Sequence, residues 1–224
     1  MAPTIVIASD HPATATLVTA VRQAQPRATV VEAPNFKTAA EAVRRQRPEL
    51  VLVDLDLTDG GGFASLLTVK QMRATTRVLA LGWDEEPSLV QRARWFGAQG
   101  FLPWSAPPVL VRTTLARTLA GEECWLPDTF RPLPPEAEPL PDTPAVARQL
   151  STLTPGQMRV LLALNAGLLN KQIAYEMNIT EATVKAHLTA VYRKLGVKNR
   201  QDAARIARTL LASTPFANSA AGHG

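Results

Sequence analysis

The stretch Leu50–Val53, with the sequence LVLV and Asp54 directly after it, carries most of the information about the fold. A short aliphatic run that ends in polar residues is typical of a strand buried on both faces of a parallel sheet. Four similar runs occur along the first half of the chain, at Thr4–Ala8, Thr29–Val31, Val78–Leu81 and Gly100–Leu102. Each run precedes a stretch with helical spacing. The alternation predicts an α/β domain with five parallel strands, whose site lies at the carboxyl ends of the strands.

Helices are predicted after each of these strands, and a change of composition follows the last one. The predicted helices are Pro12–Gln25, Phe36–Gln46, Phe63–Met72, Pro87–Phe96 and Pro107–Ala120. The segment Trp125–Leu150 then holds seven of the 18 prolines. Because proline fixes φ and lacks a backbone donor, this segment is predicted to be an extended linker. Only Thr143–Gln149 has the composition for a short helix.

The last third of the chain is helical throughout. Thr154 is predicted to cap a helix over Gly156–Asn165, since Pro155 suits the first helical position. Three more helices are predicted, each after a capping residue: Lys171–Met177 after Asn170, Glu181–Leu195 after Thr180, and Arg200–Ala212 after Asn199. The predicted organisation is a first domain over 3–122, a linker over 123–149, an all-α domain over 150–212 and a disordered tail over 213–224.

Charge and composition narrow the class of protein. The chain has 224 residues and a formal net charge of +5, and residues 151–224 hold nine basic but only three acidic side chains. A small basic domain beside a neutral one suggests a polyanionic partner, most often nucleic acid. Cys124 is the only cysteine, which excludes an intrachain disulfide. The N-terminus lacks the pattern of a signal peptide and no run is long enough to cross a membrane, so we expect a cytoplasmic protein.

The helix Glu181–Leu195 is the predicted DNA-reading element. Its aliphatic residues fall on one stripe, formed by Val184, Leu188, Val191 and Leu195. The opposite side carries Ala182, Lys185, Ala186, Thr189 and Arg193. Lysine reaches guanine acceptors in the major groove, and small residues allow close approach to the bases. With the helix before it, this one has helix-turn-helix proportions.

The same residues carry a family resemblance. The run L153-T-P-G-Q-M-R-V-L, the run G167-L-L-N-K-Q-I-A-Y-E-M-N-I-T-E-A-T-V-K-A-H-L and the run R193-K-L-G-V-K-N-R-Q-D-A-A-R resemble the LuxR-type domain of NarL/FixJ response regulators. The resemblance implies that Lys185, Ala186 and Thr189 read bases, and that Arg200–Ala212 joins two copies. It also implies phosphate contacts by Asn170, Lys171, Thr180, Thr183 and Lys198. Thr189 departs from relatives with a second lysine, which alters the expected base preference.

The first domain resembles the receiver domain of response regulators, across residues 3–122. The resemblance is carried by A8-S-D-H-P, L52-V-D-L-D-L-T-D-G-G-G and G97-A-Q-G-F-L. It implies a flavodoxin-like (βα)5 fold and a phosphoacceptor at Asp54. Receiver chemistry also needs Mg²⁺ held by carboxylates, and a lysine and a hydroxyl for the phosphoryl oxygens. Here the corresponding positions carry Ser9 in place of a second acid, Gly82 in place of the hydroxyl and Trp104 in place of the lysine.

These departures predict a receiver whose output does not depend on aspartyl phosphorylation. Asp10, Asp54 and Asp56 form the acidic pocket, in which Asp10 and Asp54 would hold Mg²⁺ weakly at best. We therefore expect no tightly bound cofactor. The alternative is a conventional response regulator, phosphorylated on Asp54 by a sensor kinase or a small phosphodonor. In either case the expected partner is double-stranded DNA with an inverted repeat, bound by a homodimer.

Two other classes of protein share features with this sequence. The string L50-V-L-V-D-L-D-L-T also fits the nucleophile motif of haloacid-dehalogenase-type phosphatases, with Asp54 as nucleophile and Asp56 as general acid. However, the acids after Asp59 show no GDxxxD arrangement, so an enzyme is not expected. A pure protein-interaction module is disfavoured by the basic helix Glu181–Leu195.

Overall fold

The computed structural model describes residues 2–57, 62–83, 87–125 and 143–211. Its N-terminal half contains one sheet of five parallel strands, in the order β2-β1-β3-β4-β5. The strands are β1 Thr4–Ala8, β2 Thr29–Ala33, β3 Leu50–Asp54, β4 Arg77–Gly82 and β5 Gly100–Pro103. The predicted parallel α/β architecture is therefore confirmed, and the strand ends lie within two residues of the predicted ones.

Five helices cover the two faces of this sheet. They are α1 Thr14–Ala24, α2 Phe36–Gln46, α3 Phe63–Met72, α4 Pro87–Trp95 and α5 Pro108–Ala120. Alternate side chains of a strand point to opposite faces. Ile5 and Ile7 accordingly pack in a cluster with residues of α1 and α5, whereas Val6 and Ala8 pack with residues of α2, α3 and α4. Burial on both faces explains why the strands read as unbroken aliphatic runs.

The chain returns to the free edge of β5 after α5. We call residues 122–125 the edge segment. Cys124 N–H donates to the Gln99 carbonyl at 2.8 Å, and Phe101 N–H donates to the Cys124 carbonyl at 3.3 Å. A Cβ on Gly100 would lie 2.4 Å from that carbonyl oxygen, so only glycine permits this approach. The edge segment therefore shields part of an edge that would otherwise expose unpaired backbone groups.

The C-terminal half consists of helices, of which the last four were predicted. They are α6 Thr143–Ser151, α7 Pro155–Asn165, α8 Asn170–Met177, α9 Glu181–Leu195 and α10 Arg200–Leu211. Helix α6 corresponds to the short helix that the sequence allowed at Thr143–Gln149, and it is two residues longer. Its Ala147 and Leu150 side chains are buried. Residues 126–142 of the predicted linker over 123–149, and the whole predicted tail over 213–224, lie outside the described residues.

Three of the four predicted caps are confirmed. Thr154 and Gln157 form a reciprocal capping box, with each side chain accepting from the other residue's backbone N–H. Thr180 accepts from the Thr183 N–H at 3.1 Å at the start of α9. Asn199 accepts from the Asp202 N–H at 2.9 Å at the start of α10.

The predicted cap of α8 is wrong. Asn170 is the first residue of the helix, and the capping position is held by Leu169, whose side chain has no polar atom. One half of a capping box remains, since Gln172 Oε1 accepts from the Leu169 N–H at 2.7 Å. The backbone N–H of Gln172 therefore has no acceptor in the capping side chain, and Leu169 itself is 67% exposed.

The two halves of the chain pack against each other. Helices α7 and α10 contact α3, and α6 contacts both α3 and α4. At this junction Gln71 Nε2 donates to the Leu150 carbonyl at 3.3 Å and to the Ser151 carbonyl at 3.4 Å. The apolar residues on the α2, α3 and α4 side of the sheet form one continuous cluster with those of the C-terminal half. No helix in the described ranges has the length and apolar character of a membrane span.

We expect Leu169→Ser to stabilise the C-terminal half by about 1 kcal/mol, because a serine hydroxyl accepts from the third backbone N–H of a helix. It also removes an exposed leucine. Urea unfolding, followed by circular dichroism, measures the change in the free energy of unfolding.

The matched control is Thr180→Ala, which removes an existing cap from α9 and should destabilise the protein by a similar amount. If Leu169→Ser leaves stability unchanged while Thr180→Ala lowers it, the interpretation of the α8 start is incorrect.

Candidate nucleic-acid interface and the altered receiver pocket

Helix α9 has two sides of opposite character. On one side Val184, Leu188, Val191 and Leu195 are all buried, the most exposed being Leu188 at 6%. On the other side lie Ala182, Lys185, Ala186, Thr189 and Arg193, and all five are exposed. The structure therefore brings together, on one accessible face, the residues for which the sequence predicted base contact. The Thr189 hydroxyl donates to the Lys185 carbonyl at 3.0 Å, so it would meet a base as an acceptor or through its methyl group.

The residues predicted to contact phosphate flank this face. Lys171 lies in the first turn of α8 and Lys198 follows α9; both are exposed, and Asn170 is half-buried. The hydroxyls of Thr180 and Thr183 lie 2.9 Å apart at the N-terminus of α9. A helix N-terminus favours anions because of its free N–H groups and its dipole. The arrangement suits a DNA backbone that runs past the starts of both helices.

Two other basic residues have structural partners, which the sequence did not reveal. Lys194 Nζ donates to the Thr152 carbonyl at 2.7 Å and to Gln157 Oε1 at 2.8 Å, which ties α9 to the start of α7. Arg200 Nη2 donates to the Leu168 carbonyl at 2.6 Å. His187 is half-buried, and its ring lies near Gly156. Part of the basic excess of this region is therefore used in internal hydrogen bonds and is not available to a polyanion.

The predicted receiver pocket is present at the carboxyl edge of the sheet, with Asp54 at its centre. The Asp54 side chain is 2% exposed. Its Oδ2 accepts from the Ser9 hydroxyl at 2.7 Å, and its Oδ1 accepts from the Asp56 backbone N–H at 3.1 Å. Burial raises the pKa of Asp54, against the opposing effects of the Ser9 and Asp56 hydrogen bonds and of nearby His11. The carboxylate is therefore held by neutral donors in a buried site.

Aromatic rings cover the position where the receiver family has its lysine. Trp104 follows β5 and is half-buried, and its backbone N–H donates to the Gly82 carbonyl at 2.9 Å. The His11 ring lies between two indoles, with centroids 4.8 Å from Trp104 and 5.0 Å from Trp83. His11 also belongs to the Ser9 network, because its backbone N–H donates to Ser9 Oγ at 3.0 Å. We did not predict His11 as a pocket residue from the sequence, although its position shortly after the end of β1 indicated that it lies at this edge of the sheet.

Gly82, at the hydroxyl position, faces an aromatic side chain. A Cβ on Gly82 would lie 3.0 Å from Phe101 Cζ and 3.3 Å from Cε2. Phe101 is 1% exposed, so its ring has little room to retreat. The space that the side chain of a serine or threonine would need is therefore partly filled.

The three acidic residues of the pocket differ in exposure. Magnesium prefers an octahedral set of oxygen ligands, commonly with one or two carboxylates. Asp10 and Asp56 are exposed, whereas Asp54 is buried and both its oxygens accept hydrogen bonds. Among the described residues no group of three or more His, Cys, Asp or Glu side chains is placed to hold a metal ion.

Gly82→Ser should destabilise the first domain by about 1–3 kcal/mol, because the added atoms overpack against Phe101. In a Phe101→Leu background the same change should cost at least about 1 kcal/mol less. A double-mutant cycle of urea unfolding free energies measures this coupling.

Gly156→Ser provides a control, since a Cβ there meets only His187, at the ordinary contact distance of 3.5 Å. A coupling energy of zero between positions 82 and 101 would show that Phe101 does not obstruct the hydroxyl position.

Comparison with known proteins assigns families to both halves of the chain. Residues 5–113 match the response regulator receiver domain, and residues 151–207 match the bacterial regulatory proteins of the luxR family. The glycerol metabolism activator of Pseudomonas putida is 30% identical over 203 residues, covering 89% of this chain and 92% of that protein. The nitrate/nitrite response regulator protein NarL of Escherichia coli K12 is 30% identical over 202 residues, covering 90% and 93%.

Solved structures show the same fold. RcsB, in a structure of two dimers bound to two parallel DNAs, superposes with a TM-score of 0.51 at 16% identity, covering 93% of this chain and 99% of that one. A LuxR-family two-component response regulator from Aurantimonas sp. SI85-9A1 gives a TM-score of 0.52 at 25% identity, covering 58% of this chain and 93% of that one. The chain belongs to the LuxR family of response regulators, DNA-binding transcription regulators with a receiver domain followed by a helix-turn-helix domain.

Proposed function

We propose that this regulator binds an inverted-repeat DNA site as a homodimer and that phosphorylation of Asp54 does not control it. The observation that carries the second part is the state of Asp54, which is 2% exposed and bonded through both oxygens. A nucleophilic carboxylate must reach its phosphodonor, and the product needs cations nearby to offset its charge. Trp104 supplies no such charge.

The DNA-binding part of the proposal rests on the exposed face of α9. Lys185, Ala186 and Thr189 are assigned to the bases, and Arg193 lies on the same face. Asn170, Lys171, Thr180, Thr183 and Lys198 are assigned to phosphates. One copy of α9 would enter the major groove at each half-site, with half-sites about one helical turn apart. RcsB, which shares the fold, binds DNA as dimers, and this supports a dimer here.

The remaining assignments follow from this function. We place the functional units at 3–122 and 150–212, with 123–149 between them and 213–224 after them. The regulator is assigned to the cytoplasm because its partner is chromosomal DNA. No cofactor is needed for the proposed activity, and any Mg²⁺ on Asp10 and Asp54 would be weakly held.

The conventional alternative is phosphorylation of Asp54 by a sensor kinase or a small phosphodonor. It is favoured by one observation, namely that an aspartate is retained at the end of β3. Incubation of the protein with a phosphodonor, described below, decides between the two functions.

Lys185→Ala should weaken binding to the preferred DNA site by about 1–3 kcal/mol and relax preference at one base position. Lys171→Ala should weaken binding to all sequences alike and reduce the slope of log K against log salt by about one. The preferred site is first selected from random DNA, and affinities are then measured by fluorescence anisotropy at several salt concentrations.

Arg27→Ala is the charge-matched control, because Arg27 is exposed in the first domain, before β2. It should leave affinity and salt slope unchanged. If Lys171→Ala altered the preferred sequence, or Lys185→Ala did not, the division into base and phosphate contacts would be wrong.

Incubation with acetyl phosphate or beryllofluoride and Mg²⁺ should neither modify the protein stoichiometrically nor tighten its DNA binding. Asp54→Asn should bind DNA within about twofold of the wild type, since the pocket lacks the charges that a phosphoryl group needs. Intact-mass spectrometry and anisotropy titration provide the two readouts.

A conventional receiver protein treated in the same way serves as the positive control. A stoichiometric adduct on the wild type that Asp54→Asn abolishes, together with tighter DNA binding, would establish the conventional function instead. Release of inorganic phosphate from a generic aryl phosphate, lost in Asp54→Asn, would indicate the phosphatase.

A further inference from the structure

A cavity lies between α1 and α5, next to the carboxyl ends of β4 and β5. Its volume is about 150 Å³. Its inner wall is formed by Leu17, Leu81, Leu102 and Val111, which are at most 8% exposed. Small side chains, among them Ala20 and Ala106, leave the space open. The cavity is open to solvent on one side, and its volume is similar to that of an engineered apolar cavity that takes up benzene.

One wall of the cavity is Trp104, and its indole N–H lacks a partner. Trp104 Nε1 is buried and makes no hydrogen bond among the described residues. A buried donor without an acceptor destabilises a structure, and buried tryptophan N–H groups usually have a partner. Because Nε1 has almost no exposed surface, an acceptor in the cavity would reach it only after a small turn of the ring. The unmet donor is an observation independent of the cavity itself.

We propose that this cavity binds a small neutral molecule with a compact apolar body and one oxygen acceptor, such as an aryl ketone, and that Trp104 Nε1 donates to that oxygen. The apolar walls recognise the body of the ligand, and the Trp104 donor on the inner side orients it. This combination of apolar lining and few polar groups is typical of small-molecule sites. The exposed side of the cavity near Thr16 on α1 provides a route of entry.

The cavity is linked by contacts to the Asp54 pocket. The Trp104 ring packs on His11 at 4.8 Å between centroids. The His11 backbone N–H donates to Ser9 Oγ, and the Ser9 hydroxyl donates to Asp54. A ligand that turns the Trp104 ring therefore changes the packing around the retained aspartate. Binding would place a chemical signal at the same edge of the sheet where relatives receive a phosphoryl group.

Acetophenone and ethylbenzene are the probes, because they have similar shapes and only the ketone has an acceptor. Calorimetric titration of the full chain should show one molecule of acetophenone bound, about threefold to tenfold more tightly than ethylbenzene. Trp104→Phe should bring the two affinities together. Ala20→Leu should abolish binding of both probes by filling the cavity, whereas Ala15→Leu, at an exposed site on the same helix, should leave binding unchanged.

Ala106→Leu fills the cavity from the opposite wall and is used if Ala20→Leu fails to fold by circular dichroism. The proposal is overturned if wild-type protein binds neither probe, or if binding persists in a folded cavity-filling variant. Equal affinities of the wild type for the two probes would overturn the role of Trp104. None of these results bears on phosphorylation of Asp54, so the proposed function stands or falls separately.

Discussion

In a parallel sheet every strand ends at the same edge, and this constraint assembles the receiver pocket. Ser9, Asp54, Gly82 and Trp104 are far apart in sequence, yet each follows or ends a strand of the sheet. Pairing of β1 with β3, and of β3 with β4, puts the ends of the strands side by side. Substitutions at these positions therefore act on one another. A serine opposite the aspartate, a glycine against a phenylalanine and a tryptophan at the rim together produce a closed, aromatic pocket.

The C-terminal half depends on a simpler constraint, the burial of one aliphatic stripe on α9. Once Val184, Leu188, Val191 and Leu195 are buried, helical geometry places Lys185 and its small neighbours outward. The bonds of Lys194 fix α9 against the start of α7, and Arg200 ties the start of α10 to the segment after α7. The packing of α6, α7 and α10 on the receiver leaves the Lys185 face exposed. The junction of the two halves thus does not cover the surface assigned to DNA.

The parts of the structure that follow from local rules could be predicted from sequence. Buried strands read as aliphatic runs, and Thr154, Thr180 and Asn199 cap helices as their side chains favour. The start of α8 could not be predicted, because the preferred capping residue, Asn170, stands one position after the one that packing selects. The contact of Phe101 with Gly82 could not be predicted either, because it depends on how β4 and β5 lie in three dimensions. The same holds for the cavity between α1 and α5, which arises from small residues on separate elements.

The hydrogen bond between Ser9 and Asp54 has a consequence for timing. A phosphoryl group can be added and hydrolysed within the lifetime of one molecule, which lets a conventional regulator reset without being replaced. If Asp54 carries no such mark, then at a fixed concentration of any regulatory ligand the number of occupied promoters follows the abundance of the protein. The pace of the response would then be set by synthesis, proteolysis and dilution through growth.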